Sequence, residues 1–161
     1  MRRALQALPL VLAVTLAGCT TAGGGNAPAL REDLGSTEPA LFIRHGTAVL
    51  NHHNFQIDNN AQGATRVYLE TYWKPRDVYP SERAAGVTDA ETRIILQGRE
   101  RTSAATRSGR ALMAELIAYD RVRMGDSGEW VSGTVPDEYK EVLESIAEEL
   151  KKELDTGVRV F

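Results

Sequence analysis

The sequence predicts an α+β domain, an antiparallel sheet of about four strands with a C-terminal amphipathic helix packed on one face. Three features carry that expectation. Tyr139, Val142, Leu143, Ile146, Leu150 and Leu154 recur at three- and four-residue steps, the period of one helix face. Residues 66–74 are rich in β-branched and aromatic types, with Val67, Leu69, Thr71 and Trp73 alternating onto one side. Residues 91–101 and 109–123 follow as two further alternating runs, a ready hairpin. With 161 residues, 42% hydrophobic and 25% charged, the chain has the composition of one globular domain, not of a disordered or fibrous protein. A formal charge of −3 supplies no basic field for nucleic acid.

Residues 19–39 mix Ala, Gly, Thr, Ser and Pro with a few charges and include Gly23, Gly24 and Gly25 in a row. Such a composition predicts a flexible tether with a root-mean-square reach of about 25 Å. The folded body is then expected over residues 40–161. Residues 40–45 and 49–57 read as extended, and the polar stretch 58–63 reads as a turn leading into the 66–74 strand. Pro75, Pro80 and Gly86 make 74–89 a surface connection with one helical turn around 81–85. In the 91–101 strand Thr92, Ile94 and Leu96 point inward and Gly98 suggests a bulge. Residues 109–123 suit either helix or strand; strand is preferred because it pairs the preceding run and leaves no lone edge. Thr134, Pro136 and Asp137 open the final helix, Gly157 stops it, and residues 158–161 suit a short strand.

At the N-terminus Arg2 and Arg3 precede a charge-free apolar run of residues 4–17 that ends in Leu16, Ala17, Gly18 and Cys19. The run is shorter than the roughly 20 residues needed to span a bilayer, which favours an export signal over a permanent span. The segment resembles a bacterial lipoprotein signal peptide, and Leu-Ala-Gly-Cys matches the lipobox at every position. The resemblance implies removal of residues 1–18, a lipid on the Cys19 sulfur and acyl chains that anchor the protein to a membrane. By the sorting rule of Gram-negative lipoproteins, Thr20 in place of Asp implies the outer membrane, with the domain facing the periplasm. Cys19 is the single cysteine, so it has no disulfide partner within the chain.

Arg44, His45 and Gly46, read as the end of a strand, resemble the histidine phosphatase superfamily. That likeness would make His45 a phosphoryl acceptor and Arg44 a phosphate clamp, with Asn51 where related mutases place an Asn. The chemistry also requires a second histidine and an acid from the distal chain, whereas the other two histidines are His52 and His53, immediately downstream. Gly125, Asp126, Ser127 and Gly128 resemble the nucleophile segment of chymotrypsin-like proteases, but Glu129 and Trp130 follow and the domain is about half the required size. That segment reads as a turn. His52 and His53, adjacent on an extended segment, would point to opposite faces, so no metal is expected.

The remaining asymmetry is a cluster of arginines on the predicted second hairpin: Arg93, Arg99, Arg101, Arg107, Arg110, Arg121 and Arg123. Arg99, Arg101, Arg121 and Arg123, with Trp130 beside the turn, are the expected partner contacts, against an acidic protein or anionic headgroups. Trp73 is expected to pack under the helix. The functional expectation is a membrane-anchored envelope lipoprotein that binds or scaffolds an envelope protein, without enzymatic activity and with no cofactor besides the lipid. Phosphoryl transfer through His45 is the alternative.

Overall fold

The computed structural model describes residues 27–100, 111–125 and 128–156. Strand β1 (Leu30–Thr37) is followed by α1 (Pro39–His52), β2 (Ile57–Gln62), β3 (Arg66–Thr71), β4 (Lys74–Arg76), α2 (Pro80–Ala84), β5 (Val87–Glu100), β6 (Leu112–Met124), β7 (Trp130–Ser132) and α3 (Asp137–Thr156). The α+β class and the C-terminal helix are as expected. The sheet has seven strands among the described residues, not four, and all of its pairings are antiparallel.

The long strands β5 and β6 form its spine, paired from Val87 opposite Met124 to Glu100 opposite Leu112. Each outer edge of this hairpin is covered by two short strands in tandem. β3 and then β4 run along β5, while β1 and β7 run along β6, and β2 lies outside β3. Short edge strands limit the unpaired backbone open to pairing with other chains. Within the 109–123 run the described part from Leu112 onward is thus a strand, as preferred, and residues 109–110 lie outside the described residues.

Four expectations are corrected. The first is the tether. Leu30–Thr37 pairs with β6, and Leu30, Leu34 and Thr37 are buried. Their spacing does not alternate because the register shifts between Asp33 and Gly35; Asp33 Oδ1 accepts the Gly35 N–H at 2.8 Å, with Gly35 at φ +86°. The second is the extended reading of 40–45 and 49–57, most of which is α1. Pro39 occupies its first turn, where a missing N–H costs nothing, and Phe42, Gly46, Val49 and Leu50 face the core. A Cβ at Gly46 would lie 3.0 Å from Leu96 Cδ1 and 3.1 Å from Leu69 Cδ1, so the glycine lets the helix settle on the sheet. The third is the 58–63 turn, which is mostly the solvated edge strand β2, with its turn at Gly63 and beyond. The fourth is the Gly98 bulge. Gly98 pairs in register with Ala114, and its missing side chain makes room for Leu112, whose Cδ1 would lie 2.9 Å from a Cβ.

Helices α1 and α3 share one face of the sheet. Their apolar stripes meet Val67, Leu69, Ile94, Leu96, Ala114, Leu116 and Ala118 in a single core. From α3 this core takes Tyr139, Leu143, Ile146, Ala147, Leu150 and Leu154; Val142, expected among them, is exposed because the stripe turns past it. Helix α2 supplies the helical turn expected near 81–85 and closes one end. There Arg76 of β4 is buried with Glu82 of α2 and Asp120 of β6. Residues 157–161, and with them the expected stop and last strand, lie outside the described residues.

Candidate binding face

Because side chains alternate along a strand, the residues between core positions form a second face that no described element covers. It carries Arg66, Tyr68 and Glu70 from β3, Glu91, Arg93, Ile95, Gln97 and Arg99 from β5, and Met113, Glu115, Ile117, Tyr119, Arg121 and Arg123 from β6. Arg31 and Asp33 from β1 extend it on one side and Trp130 from β7 on the other.

At the end near β7, rings and guanidiniums alternate in one continuous stack. Arg93 lies between Tyr119 and Trp73, with its guanidinium carbon 5.8 and 4.8 Å from the two ring centroids. Arg121 follows between Trp73 and Trp130, at 4.2 and 4.7 Å. Arg123 then lies 5.2 Å from the Trp130 centroid. A guanidinium over an indole gains about 0.5–2 kcal/mol from the ring quadrupole, and planar Arg stacks where Lys cannot. The order Tyr119, Arg93, Trp73, Arg121, Trp130, Arg123 therefore holds six long side chains against one another.

Every cation in the stack also has a carboxylate. Arg93 pairs with Glu70, Arg121 with Glu91 and Arg123 with Asp89. Bonds from Arg123 and Thr88 hold Asp89 below the usual carboxylate range. Burial, together with the bond donated to Glu70, pushes the Tyr68 hydroxyl up to about 12. Further along the face Glu115 accepts bonds from Arg31 and Gln97. Of the clustered arginines, Arg93, Arg121 and Arg123 are thus neutralised by acids on the same face, so this end of it is not the basic patch expected from sequence.

The predicted contact residues are only partly brought together. Arg121, Arg123 and Trp130 share the stack. Arg99 borders a shallow depression of about 220 Å³ with Asp33, Gln97, Met113 and Glu115. It stands eight residues along β5 from Glu91, roughly 26 Å at strand rise. Arg101, Arg107, Arg110 and Cys19 lie outside the described residues. Trp73 does not pack under the helix; it follows β3, after the chain has left that strand, and its ring lies on the open face. Trp73, Arg93 and Tyr119 complete a site that sequence reasoning did not assemble. Arg93 opposite Tyr119 would have signalled part of it once the β5–β6 register was known.

His45 lies within α1, not at a strand end. Its Nε2 is 3.0 Å from Arg44 Nη2 and its Nδ1 is 3.3 Å from Glu153 Oε2. The strand-end geometry that motivated the phosphoryl-transfer alternative is therefore absent, while Glu153 places an acid from the distal chain at the ring. His52 and His53 also differ from expectation. They end and cap a helix instead of alternating along a strand, and their ring centroids are 5.2 Å apart. No described helix is long and apolar enough to cross a membrane. No protein-family model matches the chain, and no curated protein sequence is similar to it.

Proposed function

We propose that this protein is a lipid-anchored accessory of the bacterial envelope, held to the outer membrane through Cys19 and facing the periplasm. Its domain acts without catalysis, as a binding module for another envelope protein. The observation that supports this reading is the open sheet face with its stack of Tyr119, Arg93, Trp73, Arg121, Trp130 and Arg123. Tyr, Trp and Arg are the residue types enriched in the cores of protein interfaces, and here their rotamers are fixed before a partner arrives. Because each stacked cation already has its carboxylate, the face suits a protein surface better than anionic headgroups.

Photocrosslinking in growing cells tests it. A photoreactive residue at Met113, Arg99 or Ser132 should give a discrete adduct with an envelope protein. The adduct should vanish in Trp130→Ala and be absent when the probe sits on α3 at Glu144 or Lys151. Equal adducts from both sides of the molecule, or none from the open face, would reject the assignment. The anchor is tested separately: Cys19→Ser should abolish palmitate labelling and leave an uncleaved precursor.

A further inference from the structure

Where α1 ends against α3, the fold gathers His52, His53 and Glu149, residues of which the last is 96 positions from His53. One ligating atom from each lies within 4.8 Å of the other two. We propose that these three side chains form a site for a divalent transition ion of the zinc class, clipping α1 to α3.

Donor chemistry points to that class. Two imidazoles and one carboxylate suit zinc and its neighbours, whereas calcium and magnesium prefer oxygen ligands. A His, His, Glu set leaves one tetrahedral position for water. The geometry agrees. Two imidazoles on one tetrahedral ion, at metal–nitrogen bonds of about 2.0–2.1 Å, hold their ring centroids roughly 5 Å apart. The His52 and His53 centroids are 5.2 Å apart, with ring planes at 83°. His53 Nε2 already meets Glu149 Oε2 at 2.7 Å. An ion would replace the proton between them, which moves to Nδ1 or to solvent, and the pair would open by well under 1 Å to reach the ligand spacing of a tetrahedron.

The backbone beneath both histidines is fixed. Asn54 takes φ +59° just past the helix, its N–H bonds to the Asn51 carbonyl, and the Phe55 N–H returns to the Leu50 carbonyl. Phe55 is 1% exposed and plugs this end into the core. The last turn of α1 also presents the negative end of its dipole to a cation. Lys74 is an opposing charge nearby; its Nζ is spent on the His53 carbonyl, 2.7 Å away, above the Phe55 ring. Pre-set backbone with movable side chains is what a ligand set needs to close on an ion.

The test uses the full chain, stripped with a chelator and titrated with Zn²⁺ against a chromophoric competitor. One equivalent should bind in the unsubstituted protein, unaffected by excess Ca²⁺ or Mg²⁺. His52→Ala and Glu149→Gln should each weaken it by more than about tenfold. His45→Ala, which removes the neighbouring histidine, should leave it unchanged. His52 is exposed, so His52→Ala retains the fold, checked by circular dichroism; Zn²⁺ should raise the melting temperature of the unsubstituted protein and not of this variant. Co²⁺ should give the intense visible absorption of a four-coordinate site. Absence of binding, or binding that survives both His52→Ala and Glu149→Gln, overturns the proposal.

Discussion

Arg76→Met should be among the most damaging single substitutions in the domain. Arg76 uses all five of its N–H groups. Nε and Nη2 donate to Asp120 at 2.9 and 2.8 Å, Nη1 and Nη2 donate to Glu82 at 2.8 and 2.6 Å, and the second Nη1 hydrogen goes to the Asp77 carbonyl at 2.9 Å. The side chains are 3%, 8% and 0% exposed for Arg76, Glu82 and Asp120, so water cannot take over these bonds. Two further donors complete the set: Thr92 Oγ1 to Asp120 at 2.7 Å and the Tyr79 N–H to Glu82 at 3.0 Å. Methionine fills most of the volume and removes the charge, leaving two buried carboxylates facing each other. Breaking a buried pair in this way costs about 3–5 kcal/mol, more than the pair's net contribution, because the orphaned charges remain. Urea unfolding followed by tryptophan fluorescence should show that loss as a lower midpoint at constant slope. The cause is separable from packing. Adding Glu82→Gln and Asp120→Asn to Arg76→Met removes both orphaned charges and should recover about 2 kcal/mol. A loss below about 1 kcal/mol for Arg76→Met, or a triple variant that is less stable still, would refute the reasoning.

The same cluster sets an acid limit. Burial pushes Glu82 upward, but bonds from Arg76 and the Tyr79 N–H outweigh it and hold the carboxyl below its ordinary 4.5. Its contribution is therefore complete above pH 4.5 and is lost as pH falls through the depressed value, so a stability–pH profile should steepen below 4.5 and flatten there in Glu82→Gln. Gly46→Val should cost about 1–3 kcal/mol in urea, because the added methyls meet Leu96 and Leu69 where a bare Cβ would already lie 3.0 and 3.1 Å away. In the stack, Arg121→Lys keeps the charge near Glu91 but loses the planar contact with both indoles. It should cost about 0.5–2 kcal/mol and shift the tryptophan emission, whereas Arg31→Lys, outside the stack, should do neither.

Much of the helix-side core was legible because its signals are local. The α3 stripe names Leu143, Ile146, Leu150 and Leu154, and the 91–101 run names Thr92, Ile94 and Leu96, all buried. What escaped depends on contacts distant in sequence. α1 carries Phe42, Ile43 and Val49 around Gly46, a mixture that imitates a strand. Only the approach of Leu69 and Leu96 explains why a glycine sits at mid-helix. Two local signals did exist, Pro39 as the first helical residue and Asn54 as the left-handed stop. β1 hid behind its bulge, which puts buried Thr37 out of phase with Leu30 and Leu34. The stack was harder still. Trp73, Arg93, Arg121 and Trp130 come from separate segments and become neighbours only when β5, β6 and β7 are in register.

The pairing on the open face bears on how such a face recognises anything. Unpaired arginines near a bilayer would each contribute about 1 kcal/mol of attraction to anionic lipid, drawing a domain onto a membrane surface. Glu70, Glu91 and Asp89 cancel that long-range pull while leaving the flat guanidinium and indole surfaces in place. On the binding-module proposal, recognition there would depend on shape and stacking at contact distance, not on fields reaching a Debye length. Complexes formed through Trp73 and Trp130 should accordingly persist as ionic strength rises. The Arg66 and Arg99 end, where two arginines face each other across β3 and β5, is the part of the face whose contacts salt would weaken.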